Sequence, residues 1–81
     1  MASHDKDAQR ADIAERLRQG REYVGLSQEE VATALGISRP AVTNIELGQR
    51  KVEATEIVTL ARLYRRTVEY LLTGRDAVTV A

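Results

Sequence analysis

The side chains of this chain that could do covalent chemistry are few and scattered, whereas those that could read a surface by hydrogen bonding are grouped. The one histidine, His4, lies in a polar N-terminal stretch, and there is no cysteine to act as nucleophile, disulfide partner or thiolate ligand. Asp5, Asp7 and Asp12, then Glu29 and Glu30, come without the paired inward arrangement that acid and base catalysis requires. No enzyme, cofactor or metal site is expected. The second group is different. Between Gln28 and Leu47 the apolar positions Val31, Leu35, Ile37, Val42 and Ile45 are spaced to pack inward, and Arg39, Pro40, Thr43 and Asn44 are left facing out. Residues 37–66, which follow the turn at Gly36, carry six basic side chains against three acidic ones. That local excess suits a modest phosphate footprint, although the chain as a whole, with 12 Lys plus Arg against 12 Asp plus Glu, has no net charge to attract a polyanion.

The elements that must position these residues read as helices throughout. At 81 residues the chain is one small domain. No sustained alternation and no internal repeat is present, so the architecture is expected to be all-α. A first helix is predicted over Ala8 to Tyr23, with Ile13, Leu17, Gly20 and Val24 on one face and Gly25 as its stop. Ser27 and Glu30 form the capping-box spacing that opens a second helix, Gln28 to Leu35. Ser38 caps a third, Pro40 is tolerated in its first turn, and Gly48 closes it after Leu47. A basic connector, Gln49 to Glu53, leads to a fourth helix that starts at Glu53 or Thr55 and buries Ile57, Leu60, Ala61 and Tyr64. A fifth, Thr67 to Thr73, turns Val68, Leu71 and Leu72 inward and ends at Gly74. Residues 1–7 are expected to be a flexible N-terminus and residues 75–81 a short tail. The sharp turn between helices two and three falls on Gly36, where a positive φ costs glycine nothing.

Residues 10–74 resemble the Cro and lambdoid-phage-repressor (XRE) helix-turn-helix family. The resemblance rests on Ile13, Leu17 and Arg21 in the first helix and on Leu26, Ser27, Gln28, Glu30 and Ala32 at the opening of the second. Gly36, Ile37, Ser38, Ile45, Glu46 and Gly48 carry it through the third, and Leu60, Ala61, Val68 and Leu71 complete it. It implies a compact five-helix lambda-repressor-like DNA-binding domain, with the helix-turn-helix at helices two and three. The third helix would enter the major groove of double-stranded DNA, with Arg39, Pro40, Thr43 and Asn44 at base-reading positions. Family members often carry polar reading residues where this chain has Pro40 and Ala41, so readout would lean on Arg39, Asn44 and DNA shape. Gln28, Ser38, Gln49, Arg50 and Lys51 would anchor phosphates. Arg21 and Glu46 would form a partly buried salt bridge tying the first helix to the third.

The same resemblance implies a homodimer on a two-fold operator, acting as a transcriptional regulator, most simply a repressor. Tyr70, Leu72 and Val78 are candidates for its interface, and the alternation from Ala77 to Val80 fits either a frayed end or an edge strand across the dimer. Two other readings stay open. One is the DNA-binding half of an antitoxin, and the other is an adapter using the scaffold for protein contacts; a toxin, a protease or another regulator would be the protein partner. The apolar runs are too short to span a bilayer and the N-terminus has no secretory pattern, so a cytoplasmic location is expected. A small aliphatic core with three tyrosines gives no evident effector pocket.

Overall fold

The structure, a computed structural model, describes residues 2–75, with side chains from residue 6 onward. Among them are five helices and no strand: α1 Ala2–Tyr23, α2 Gln28–Leu35, α3 Arg39–Glu46, α4 Ala54–Tyr64 and α5 Val68–Thr73. The expected order and number are therefore present, while α1 begins six residues earlier than Ala8. Residues 2–7 carry no apolar stripe, so periodicity, which detects only a buried face, could not register them. Val78 lies outside the described residues, as does the proposed strand beyond Ala77.

The starts of α2, α3, α4 and α5 are each fixed by a local acceptor for an amide that has no intrahelical partner. The Ser27 hydroxyl accepts from the Glu30 amide at 3.0 Å while the Glu30 carboxylate accepts from the Ser27 amide at 2.8 Å. Ser38 accepts from Ala41 at 3.2 Å, and Pro40 occupies the first turn, where its missing N–H is not needed. At α4 the Glu56 carboxylate reaches back to the Glu53 amide at 2.9 Å, and Thr67 caps α5 rather than belonging to it. The turn between α2 and α3 is a six-residue closure: the Ile37 amide donates to Ala32 O at 3.1 Å across Gly36, whose φ is 70°.

Leu17, Val31, Val42, Leu60, Tyr64 and Leu71 are the largest fully buried side chains and bring one from every helix but α4, which supplies two. Burial of each is worth about 1.5–3 kcal/mol against exposure. Ile13, Val24, Leu35, Ile37 and Val68 pack half-buried around them. Gly20 lies on the inner face of α1 because Tyr64 presses against it; a Cβ there would stand 2.9 Å from the Tyr64 ring. Leu72, expected to point inward, is instead 42 % exposed. α5 is a helix of six residues and has room for only one fully buried position, taken by Leu71.

Candidate nucleic-acid interface

The outward face of α3 is built by what its inward face must do. Val42 and Ile45 enter the core, and the three-to-four residue period then leaves Arg39, Pro40 and Asn44 exposed at one side of the helix. Arg39 is the first residue of α3, so its guanidinium projects from the helix start with no side-chain partner among the described residues. The Asn44 side chain is likewise free, while its backbone carbonyl accepts from the Gln49 and Arg50 amides at 2.8 and 3.1 Å. Those two bonds fold the connector back against the end of α3. Gln49 and Lys51 are exposed on that connector, and Ser38 stands at the opposite end of α3.

The expected salt bridge is present and is part of a larger network. Arg21 Nε and Nη2 donate to the two carboxylate oxygens of Glu46 at 2.7 and 3.0 Å, and Arg21 Nη1 donates to Leu26 O at 3.0 Å. This two-pronged bond holds the Arg21 guanidinium above its ordinary pKa against the opposing effect of burial. Glu46 Oε1 also accepts from Gln28 Nε2 at 3.0 Å, and Gln28 Oε1 accepts from the Thr43 hydroxyl at 2.9 Å. Thus α1, α2 and α3 are joined by one chain of polar side chains beneath the reading face. Burial, and next the nearby Glu46 charge, push the Tyr64 phenol upward, so the ring facing this network stays neutral.

Three residues assigned by sequence to contact a ligand are thereby placed differently from the rest. Gln28 is turned inward, with one amide N–H still uncommitted. Thr43 is half-buried and its hydroxyl proton is given to Gln28, which leaves its oxygen and methyl group for an outside contact. Arg50 is folded onto α4, where Nη1 and Nη2 donate to Glu56 at 3.0 and 3.1 Å. The Glu56 carboxylate holds Arg50 above its ordinary pKa, and Arg50 in turn holds Glu56 below its own. Sequence reading had also missed Arg16, which donates from Nε and Nη2 to Leu71 O and Leu72 O at 2.9 and 3.0 Å and so satisfies the end of α5. No local spacing signals that contact, since 55 residues separate the partners. At the other side, Arg66 lies over the rings of Tyr23 and Tyr70, 5.0 and 5.4 Å from their centroids. Tyr70 is half-buried there, and Leu72 is exposed.

Five helices, a glycine turn between the second and third, and an outward polar face on the third define a helix-turn-helix domain of the XRE type. Known proteins agree with that class. The helix-turn-helix domain family matches residues 12–73. In Bacillus subtilis strain 168 the uncharacterised HTH-type transcriptional regulator YqaE is 34% identical over 64 residues, covering 79% of this chain and 55% of that protein. The HTH-type transcriptional regulator ImmR of the same organism is 32% identical over 66 residues, covering 82% and 51%. The chain therefore spans about half the length of these curated relatives. The crystal structure of the restriction-modification controller protein C.AhdI from Aeromonas hydrophila superposes with a TM-score of 0.71 at 36% identity, over 79% of this chain and 97% of that one. The chain belongs to the helix-turn-helix domain family, a family of DNA-binding transcription regulators and not of enzymes. No described helix is long and apolar enough to cross a membrane.

Proposed function

We propose that this chain is a sequence-specific double-stranded DNA-binding regulator that acts in the cytoplasm as a homodimer on a two-fold operator and represses by occupying it. The observation that carries the reading is the division of α3: Val42, Ile45 and Glu46 are buried, while Arg39 and Asn44 are exposed on the side away from α1 and α2. Arg39 would pair its planar fork with guanine O6 and N7, and Asn44 would pair with an adenine edge or a phosphate. Thr43, through its oxygen or methyl group, and Pro40, through apolar contact, complete the base-facing set. Ser38, Gln49 and Lys51 would hold phosphates directly, with the remaining Gln28 N–H beside them. Arg50 would join them only after leaving Glu56. A dimer is supported by the size of the reading surface, because a single helix covers one half-site. The half-buried Tyr70 and exposed Leu72 on α5 offer apolar surface for it, with Val78 beyond the described residues.

Selection from randomised duplex DNA at about 150 mM salt, where phosphate contacts alone hold weakly, tests the proposal. A symmetric motif with half-sites about ten base pairs apart is the expected result. Arg39→Ala should then relax preference at one position of each half-site, whereas Lys51→Ala should lower affinity for all sequences alike. A folded protein that enriches no motif would refute sequence-specific binding by this chain.

A further inference from the structure

Where the first half of α1 passes the connector between α3 and α4, the surface opens into a cavity of about 370 Å³. This is the size of a small-molecule site, and it opens at the surface rather than within the small aliphatic core. Its walls are apolar where they are deepest: Leu17 and Ile45 are buried, and Ile13 and Val52 are half-buried above them. Cations stand at the mouth, with Lys6 and Lys51 exposed and Arg10 half-buried. None of these three forms an ion pair among the described residues, whereas the fourth cation, Arg50, is held by Glu56. Among the described residues no acidic side chain lines the cavity, in a chain whose acidic and basic residues are equal in number.

We propose that this cavity binds an amphipathic monoanion, a carboxylate carried on a medium-length aliphatic chain. The two halves of the site select that class together. A hydrated inorganic anion would meet the cations and leave the apolar floor wet, and an uncharged hydrocarbon would cover the floor and leave three like charges crowded without a counter-ion. A carboxylate at Lys51 and Arg10 with its tail toward Leu17 and Ile45 satisfies both. Ile45 belongs to α3 and Lys51 to the connector, so occupancy neutralises a phosphate anchor and weakens DNA binding; this consequence, unlike the binding itself, rests on the function proposed above.

The test is titration of the full chain with sodium decanoate below its micellar concentration, followed by amide NMR shifts. Saturable shifts at Ala14, Ile45 and Val52 are expected, with a Kd on the order of 0.1 mM. Decyltrimethylammonium, with the same tail and opposite charge, and acetate, with the head alone, should give none at matched concentration. Gln9→Glu, an isosteric change at an exposed edge position of the cavity, should weaken decanoate about tenfold without altering the helix. Equal response to the cationic amphiphile, or no saturable response to decanoate, overturns the proposal. So does a decanoate affinity that falls as protein concentration rises, which would assign the cavity, with Leu72 at its wall, to a second copy. None of these readouts contains DNA, so failure here leaves the DNA selection untouched, and the reverse also holds.

Discussion

Two arginine–glutamate pairs meet at the C-terminal end of α3, and their surroundings set them to different tasks. Arg21–Glu46 ties α3 back to α1, with side-chain exposures of 13% and 4%, and both oxygens of Glu46 are committed to Arg21 while one also accepts from Gln28. Arg50–Glu56 ties the connector to α4, with Glu56 12% exposed but Arg50 32% exposed, so that it is the arginine that is open. In the first pair, neither partner can be reached from outside without unpacking the helix-turn-helix. In the second, the arginine is one side-chain rotation from solvent. A buried pair positions and an open pair can be exchanged, because desolvation makes an unpaired buried charge costly and leaves an exposed one nearly free.

The largest effect should come from breaking the buried pair. Glu46→Ala leaves the Arg21 guanidinium without its carboxylate and Gln28 without its acceptor, and is expected to cost about 3 kcal/mol in a urea or guanidinium unfolding curve. The corresponding loss for Glu56→Ala, which also removes the acceptor of the Glu53 amide, should be about 1–2 kcal/mol. Double-mutant cycles on the two pairs state the contrast directly: the Arg21/Glu46 coupling should exceed the Arg50/Glu56 coupling. Equal couplings would remove the distinction between the two.

A smaller effect comes from displacing α1 without touching either pair. A Cβ on Gly20 would stand 2.9, 3.2 and 3.3 Å from Tyr64 Cδ2, Cγ and Cβ, and Tyr64 is 1% exposed with no space to retreat. Gly20→Ala should therefore cost about 2 kcal/mol by overpacking, despite replacing glycine by a better helix former. Because residue 20 adjoins Arg21, the same variant should reduce the Arg21/Glu46 coupling and leave the Arg50/Glu56 coupling unchanged. A stabilised Gly20→Ala protein would show that α1 and α4 are not held at this distance.

Next in size is Gln28, which links Glu46 to Thr43. Gln28→Ala removes two hydrogen bonds at a half-buried position and should cost about 1 kcal/mol. Its effect on DNA affinity should track the freedom given to Thr43 and α3 rather than the loss of one phosphate contact, so the salt dependence of binding should change little. A salt slope lowered by about one would instead return Gln28 to the role of direct phosphate ligand that its position at a helix start suggests.

What could and could not be read from the sequence follows the same division between local and distant causes. Ser27 with Glu30, Ser38 with Pro40, and Gly36 each act within one turn of the chain, and the boundaries they set for α2 and for the start of α3 agree with the structure. The Arg21–Glu46 contact, 25 residues apart, was legible only through the family resemblance. Gln28 bending inward depends on how α2 meets α3, and Arg16 satisfying the end of α5 and the cavity beside Lys51 depend on how α1 crosses the other helices, which no short-range spacing encodes. Arg50 is the instructive case. Its charge and connector position suggested phosphate, whereas the structure pairs it with Glu56, which also accepts from the Glu53 amide at the start of α4.

The smallest expected change in stability attends the open pair, and it is the one that separates charge from geometry. Glu56→Gln keeps a side-chain oxygen at the third position of α4 for the Glu53 amide and removes only the charge that holds Arg50. The Glu56 carboxyl is held below its ordinary value of 4.5, chiefly by the Arg50 bond. A carboxyl lowered in the folded state contributes stability that is complete above its unfolded value and is lost as pH falls through its folded value. The wild-type chain should thus lose a small increment of stability on acidification below about pH 4.5, and Glu56→Gln should lack that increment while matching wild type to within about 1 kcal/mol at pH 7. On DNA the order should reverse. With Arg50 released, the variant should bind more tightly and show a salt slope larger by about one, since one more phosphate is neutralised. An unchanged slope would mean that Arg50 stays on the α4 side whatever its partner, and that the connector anchors DNA through Lys51 and Gln49 alone.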